Sequence, residues 1–172
     1  AVVAPDSAGL GPPGPAQYLV GGSEGHALLD AARSAAALPG ADLGVETGLW
    51  GFSSGGQAVL FAAQDASDYA PGLELLGTVA QAPVSDVARF AGHASAFPLT
   101  FGFAFLTFGA WADIYEGADL ATILTPTALA ELSLLDEECA LAIGPHFTLT
   151  PIDRLRVADP ETTPPWPALM AE

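Results

Sequence analysis

The sequence predicts an α/β fold in its first half and a helical region in its second. Strand-like apolar stretches alternate with helix-forming stretches along the first 82 residues, which is typical of a parallel sheet with crossover helices. From 86 to 143 no strand alternation is present, and helical patterns prevail. The alternating stretches of the first half are 1–6, 22–38, 45–52, 57–68 and 73–82.

Length, composition and charge narrow the possible classes of protein. The chain has 172 residues, 51% of them hydrophobic, which is enough for a globular domain with a real core. Four Lys+Arg residues, all of them arginines, face twenty acids, for a formal net charge of −16. A charge of this sign argues against nucleic acid or an anionic membrane surface as a partner. Oligomeric state is not predicted by the sequence.

Each element of the first half has local signals. The stretch 1–6 is apolar and predicts a buried strand, and the Gly/Pro-rich stretch 7–19 predicts a loop. Ser23 is the expected N-cap of the first helix, with Glu24 in its first turn. Further along that helix, Asp30 and Arg33 are three residues apart and are expected to pair.

The second half has its own signals. Asp86 is expected to cap the first of its helices, and Thr125 to cap another that has Pro126 at its first position. The uncharged stretch 90–112 is long enough for a membrane span, but prolines, glycines and polar residues interrupt it. We therefore favour a helical cap with an apolar inner face over a span.

The motif Gly51-Phe52-Ser53-Ser54-Gly55-Gly56 joins the second strand to the second helix. It matches G-x-S-x-G, the nucleophile elbow of serine hydrolases, in the strand–turn–helix setting that this motif requires. Ser53 is the expected nucleophile, because Phe52 stands where a glycine would be needed for Ser54 to take that role. The backbone N–H of Ser54 is the expected oxyanion donor. The competing interpretation is a glycine-rich turn before a buried helix.

Several further motifs resemble the secretory lipase family of α/β-hydrolases. They cover about residues 1–90 in order, and the likeness is looser from 91 to 172. The motifs are Val3-Ala4-Pro5-Asp6 with Gly9, the stretch from Gly21 to Asp30 with Arg33, the elbow with its double glycine, Asp68-Tyr69-Ala70-Pro71, and Ala82-Pro83 leading to Asp86.

The resemblance implies a partial α/β-hydrolase sheet with a helical cap insertion. Its expected parts are a core at 1–84 with the elbow, a cap at 85–158, and a linker at 159–172 that returns to further core. It also implies that a strand and the second oxyanion donor lie upstream, and that the triad acid and histidine lie downstream. We therefore expect 73–82 to pair with 45–52 in parallel, and 1–6 not to pair with 45–52.

The order Ser53, Asp86, His146 offers an alternative triad within the chain. The family resemblance argues against it, because the family's acid and histidine follow two further strands beyond the cap. Asp86 is then a helix cap, His93 and His146 are ordinary polar residues of the cap, and His26 is a surface or packing residue. Cys139, the sole cysteine, is expected to be a small buried apolar side chain.

By resemblance, the activity is hydrolysis of fatty-acyl esters through an acyl-serine, by a secreted protein without cofactor or metal. The aromatic side chains Phe101, Phe105, Phe108 and Trp111 are expected to bind acyl chains over Ser53, so the partner is a lipid or ester substrate. The 172 residues themselves are expected to be inactive without acid and base. Another α/β-hydrolase, such as an acyltransferase or peptidase, and a membrane-associated non-enzymatic module remain as alternatives.

Overall fold

A computed structural model of the chain describes residues 1–11 and 14–171. Pro12 and Pro13, within the predicted loop 7–19, and Glu172, at the end of the predicted linker, lie outside the described residues. The chain forms two compact units, Ala1–Ser85 and Asp86–Glu172.

The first unit is a two-stranded parallel sheet with two helices. Its elements are α1 (Gly21–Ala36), β1 (Glu46–Phe52), α2 (Ser54–Tyr69) and β2 (Glu74–Gln81). The strands pair directly and in parallel, with Glu46 opposite Glu74 and Phe52 opposite Gln81. The predicted pairing of these two strands is therefore confirmed, as is their connection through a helix.

Both helices of this unit contact the sheet or each other through a small apolar core. One buried member lies on α1 and one on β1, and those on α2 follow the helical repeat, as expected for a helix with one face in a shared core. They are Leu29, Leu49, Val59, Ala62, Ala66 and Ala70.

The other face of the sheet is exposed. Trp50 and Phe52 on β1 are 65% and 58% exposed, and Val79, opposite Trp50, is 57% exposed. Leu49 and Gly51, which alternate with them, are buried. Strands that are apolar on both faces are typical of parallel sheets covered on both sides.

Two local predictions for the first unit are wrong. Residues 1–6 form no strand, and the side chains at 1–4 are exposed. A strand needs a neighbouring strand that shares its hydrogen bonds. The sheet of the described residues consists of β1 and β2, and residues 1–6 pair with neither of them. The N-cap of α1 is Val20, which has no side-chain cap, rather than Ser23. The helix begins at Gly21, so Ser23 lies inside its first turn rather than before it.

Side-chain contacts join α1 to α2 beyond the apolar core. His26 hydrogen-bonds through Nε2 to Asp65 Oδ2 at 3.0 Å and stacks on the Tyr69 ring at 3.7 Å between centroids. The Tyr69 hydroxyl donates to Asp30 at 3.0 Å, and Asp30 also pairs with Arg33, as predicted. His26 is therefore a packing residue, which is one of the two roles expected for it.

The second unit is helical, as predicted. Asp86 caps its first helix by accepting a hydrogen bond from the N–H of Arg89 at 2.8 Å, and Thr125 caps the helix that begins at Pro126 by accepting one from the N–H of Ala128 at 3.2 Å. Its helices are α3 (Val87–Ala96), α4 (Pro98–Ile114), α5 (Pro126–Leu129), α6 (Leu134–Glu137), α7 (Ala140–His146) and α8 (Trp166–Leu169), with 3-10 turns at Leu120–Thr122 and Ile152–Arg154.

Two further observations concern the second unit. Cys139 is exposed, so its predicted burial is wrong, because it precedes α7 at a surface position rather than on the apolar face. Among the described residues, no helix combines the length and the apolar character that crossing a membrane requires.

Candidate active site

Ser53 lies in the sharp turn between β1 and α2. Its backbone has φ 56° and ψ −118°, in a region that non-glycine residues rarely adopt. Its N–H donates to Gln81 O at 3.0 Å, and its own carbonyl accepts from the N–H of Gln57 at 3.2 Å. The turn is thus fixed to β2 on one side and to α2 on the other. A strained serine at a strand-to-helix turn is the geometry of a nucleophile elbow.

The glycines of the motif have different roles. A Cβ on Gly51 would overlap the carbonyl group of Gly55, and a Cβ on Gly56 would come within 2.9 Å of Pro83 Cα. A Cβ on Gly55 would meet no atom within 4 Å. The close approach of strand and helix therefore requires glycine at positions 51 and 56, whereas Gly55 has room for a side chain.

The oxyanion donor predicted from the sequence has a suitable position. Ser54 is the first residue of α2, where a backbone N–H has no acceptor within the helix. The positive end of the dipole of this 16-residue helix adds to the attraction for an anion. The structure thus places Ser53 and the N–H of Ser54 side by side at the beginning of one helix.

No base or acid is bonded to Ser53 among the described residues. The Ser53 side chain makes no capping hydrogen bond, and no described histidine or carboxylate hydrogen-bonds to its Oγ. The histidines of the chain have other contacts. His26 bonds to Asp65, His146 Nε2 lies 3.3 Å from Glu131 Oε2, and His93 contacts Phe97. Within the described residues, no group of three or more His, Cys, Asp or Glu side chains could hold a metal ion.

The four aromatic residues predicted to bind acyl chains lie on α4 and are buried. Phe101, Phe105, Phe108 and Trp111 are each at most 2% exposed. Their rings form edge or tilted contacts with aromatic residues of the same unit. Phe147 contacts Phe101 and Phe105, Trp166 contacts Phe108, and Tyr115 contacts Trp111.

Sequence reasoning missed Gln57. Its side chain is 3% exposed, and its Oε1 has no hydrogen-bond partner among the described residues. It lies one helical turn after Ser53, on the same side of α2. A polar residue at the fourth position after the nucleophile is a signal that could have drawn attention to it.

Comparisons with known proteins identify a family that the chain matches over most of its length. The family model described as secretory lipase matches residues 1–152 of the chain. The chain belongs to the secretory lipase family. A protein of Mycobacterium tuberculosis (strain CDC 1551 / Oshkosh), named a probable inactive lipase, is 40% identical over 67 residues. The match covers 38% of this chain and 15% of that relative. No solved structure matches the chain.

The match to the secretory lipase family is not confined to the serine motif. The matched residues contain the elbow, the strands β1 and β2 and the helices α1 to α7. The family name supports a lipase-type hydrolase and secretion. The name of the mycobacterial relative describes that protein as inactive, and the match covers only a small part of its length.

Proposed function

We propose that this chain carries the nucleophile of a serine ester hydrolase that acts on fatty-acyl esters. The observation that supports this most strongly is the backbone of Ser53, with φ 56° in a turn between β1 and α2. Such a backbone costs free energy, roughly 1–3 kcal/mol, and is retained where the strain serves a function. Family membership adds the ester substrate class to this geometry.

The chemistry proposed for the site is acyl transfer to Ser53. The Ser53 oxygen attacks the ester carbonyl carbon while a base takes its proton, and the alcohol then leaves with a proton. The carbonyl oxygen becomes negative and accepts a hydrogen bond from the N–H of Ser54. Water later releases the acid from the acyl-serine. A histidine and a carboxylate must complete this sequence, and the described residues do not place them at Ser53.

The chain by itself is expected to show no ester hydrolysis above background. The reason is that no described histidine hydrogen-bonds to Ser53 Oγ, so the hydroxyl is not activated at neutral pH. The measurement is release of p-nitrophenol from acetate and long-chain esters by the purified 172 residues. Robust turnover that is lost in His146→Ala would instead support the triad of Ser53, Asp86 and His146.

We propose in addition that the aromatic residues of α4 bind the acyl chain. Together they offer an apolar surface suited to a fatty chain. Because their rings are packed against one another and against Phe147 and Trp166, binding requires α4 to move or these rings to separate. An acyl chain in such a site is shielded from water, which favours hydrolysis of long-chain esters.

Substitution at Phe105 tests the proposed acyl-chain site. In a protein in which an acid and a histidine complete the triad, Phe105→Leu is expected to lower kcat/KM for long-chain esters about tenfold and to leave acetate hydrolysis nearly unchanged. Leu129→Ala, on the short helix α5, is the control: it removes apolar contacts of the second unit without changing a residue of the proposed acyl-chain site. Equal losses with acetate and long-chain esters in Phe105→Leu would contradict the acyl-binding role.

A further inference from the structure

A second strained turn lies directly beside the elbow. Ala82 follows β2 and has φ 45°, a left-handed conformation that is unfavourable for any residue with a Cβ. The next residue is Pro83, and a residue that precedes proline is normally extended, because the proline ring crowds its backbone. The backbone of Ala82 is therefore unfavourable for two separate reasons.

The residues on both sides of Ala82 contact the elbow. The backbone carbonyl of Gln81 accepts a hydrogen bond from the N–H of Ser53 at 3.0 Å. Pro83 lies so close to Gly56 that a Cβ on this glycine would come within 2.9 Å of Pro83 Cα, and within 3.0 Å of the Gln81 carbonyl oxygen. The segment 81–83 thus encloses the first turn of α2, and we name it the elbow clamp.

The side chain of Ala82 does not account for its conformation. Ala82 is exposed, so its methyl group gains little from burial. Val84, two residues later, is buried at 8% exposure. The contacts of the neighbouring residues therefore hold Ala82 in its left-handed conformation. Backbone strain of this kind persists only where the surrounding structure enforces it, and it is concentrated at functional sites.

The dihedral angle φ of Ala82 links the two contacts of the clamp. The Gln81 carbonyl belongs to the planar peptide group that precedes Ala82, and φ turns this group relative to the chain that follows. With Pro83 held against Gly56, a change to an extended φ would turn the Gln81 oxygen away from the N–H of Ser53. The left-handed conformation is therefore the one that satisfies both contacts.

We propose that Ala82 is a positioning residue for the nucleophile, an inference that rests on the function proposed for Ser53. Its backbone directs the Gln81 carbonyl to the Ser53 N–H and so fixes the backbone from which the Ser53 hydroxyl projects. Ala82 has no contact with the reacting atoms in this role and acts through Ser53. Such precision matters, because a displacement of about 1 Å can lower the rate of a reaction about 100-fold.

Two substitutions at position 82 separate backbone conformation from side-chain contacts. Glycine adopts φ 45° without strain, so Ala82→Gly preserves the clamp. Valine is branched at Cβ and strongly resists this conformation, so Ala82→Val opens the clamp although the position is exposed. Ser85→Val is the matched control, because Ser85 is exposed, lies three residues later and has no positive φ.

Hydrogen exchange of the Ser53 amide in the full 172-residue chain measures the opening of the clamp. Ala82→Val is expected to increase the opening of this amide about tenfold and to leave the amide of Ala62, in the middle of α2, unchanged. Ala82→Gly and Ser85→Val are expected to stay within about threefold of the unsubstituted chain. An unchanged Ser53 amide in Ala82→Val, or an equal increase at Ala62, would overturn the proposal.

A second pair of variants decides the question if Ala82→Val does not fold. Leucine and asparagine are similar in size, but asparagine tolerates left-handed backbone far better. Faster exchange of the Ser53 amide in Ala82→Leu than in Ala82→Asn supports the positioning role, and equal rates overturn it.

Kinetics show whether the clamp serves the reaction. In a protein in which an acid and a histidine complete the triad, Ala82→Val is expected to lower kcat for p-nitrophenyl esters at least about tenfold with little change in KM, and Ala82→Gly to retain kcat. An unchanged kcat in Ala82→Val would overturn the positioning role. Exchange needs no substrate, so a failure of the clamp is distinguishable from an absence of ester hydrolysis at Ser53.

Discussion

Ser53→Ala is expected to abolish ester hydrolysis in a protein in which an acid and a histidine complete the triad. Removal of the nucleophilic oxygen leaves only binding and the oxyanion donor, so kcat is expected to fall about 10⁴- to 10⁶-fold. The measurement is the steady-state rate on p-nitrophenyl esters, together with loss of covalent labelling by a fluorophosphonate.

Ser54→Ala is the matched control for this prediction. Ser54 contributes its backbone N–H at the first position of α2, and alanine keeps that group. Its rate is expected to change less than tenfold, since its side chain has no place in the proposed mechanism. If Ser54→Ala were the inactive variant and Ser53→Ala remained active, the register of the elbow would be wrong.

Gly51→Ala is expected to destabilise the first unit by roughly 3 kcal/mol or more. The added Cβ would overlap the Gly55 carbonyl group, which is backbone and cannot rotate away. The elbow must then open, which separates β1 from the beginning of α2. The measurement is the urea midpoint of unfolding, read together with the slope of the transition.

Gly55→Ala is the control that separates crowding from a general effect of losing glycine. A Cβ at Gly55 meets no atom within 4 Å, and the residue lies in the first turn of α2. Alanine costs less backbone entropy than glycine in a helix, so the variant is expected to be equally stable or about 0.5–1 kcal/mol more stable. Equal destabilisation by the two substitutions would contradict the close approach assigned to Gly51.

The order of elements in the first unit could be predicted because each has a local signal. The apolar runs gave β1 and β2 nearly to the residue, and the side-chain caps Asp86 and Thr125 were visible because a short polar side chain before a helix satisfies its free N–H groups. The position of Ser53 was also predictable, because the turn motif is contiguous in sequence. Its glycines indicate that strand and helix approach each other closely at this turn.

Contacts between distant residues could not be predicted in the same way. Residues 1–6 have the composition of a strand, but a strand forms only where a neighbour accepts its hydrogen bonds. The exposure of Cys139 depends on how α7 is turned, which a single small residue does not reveal. The contact of His26 with Asp65 and Tyr69 joins positions about forty residues apart in the sequence.

The sequence by itself determined the strand–helix–strand order, the family and the identity of the candidate nucleophile, because these depend on contiguous patterns of residues. The tertiary structure decided the strained backbone of Ser53, the crowding at two of the three glycines, and the burial of Glu24 and Gln57. The physical reason is that strain, close approach and desolvation are properties of surroundings. They arise when β2, α1 and α2 pack around a residue. The type of that residue is by itself compatible with several environments.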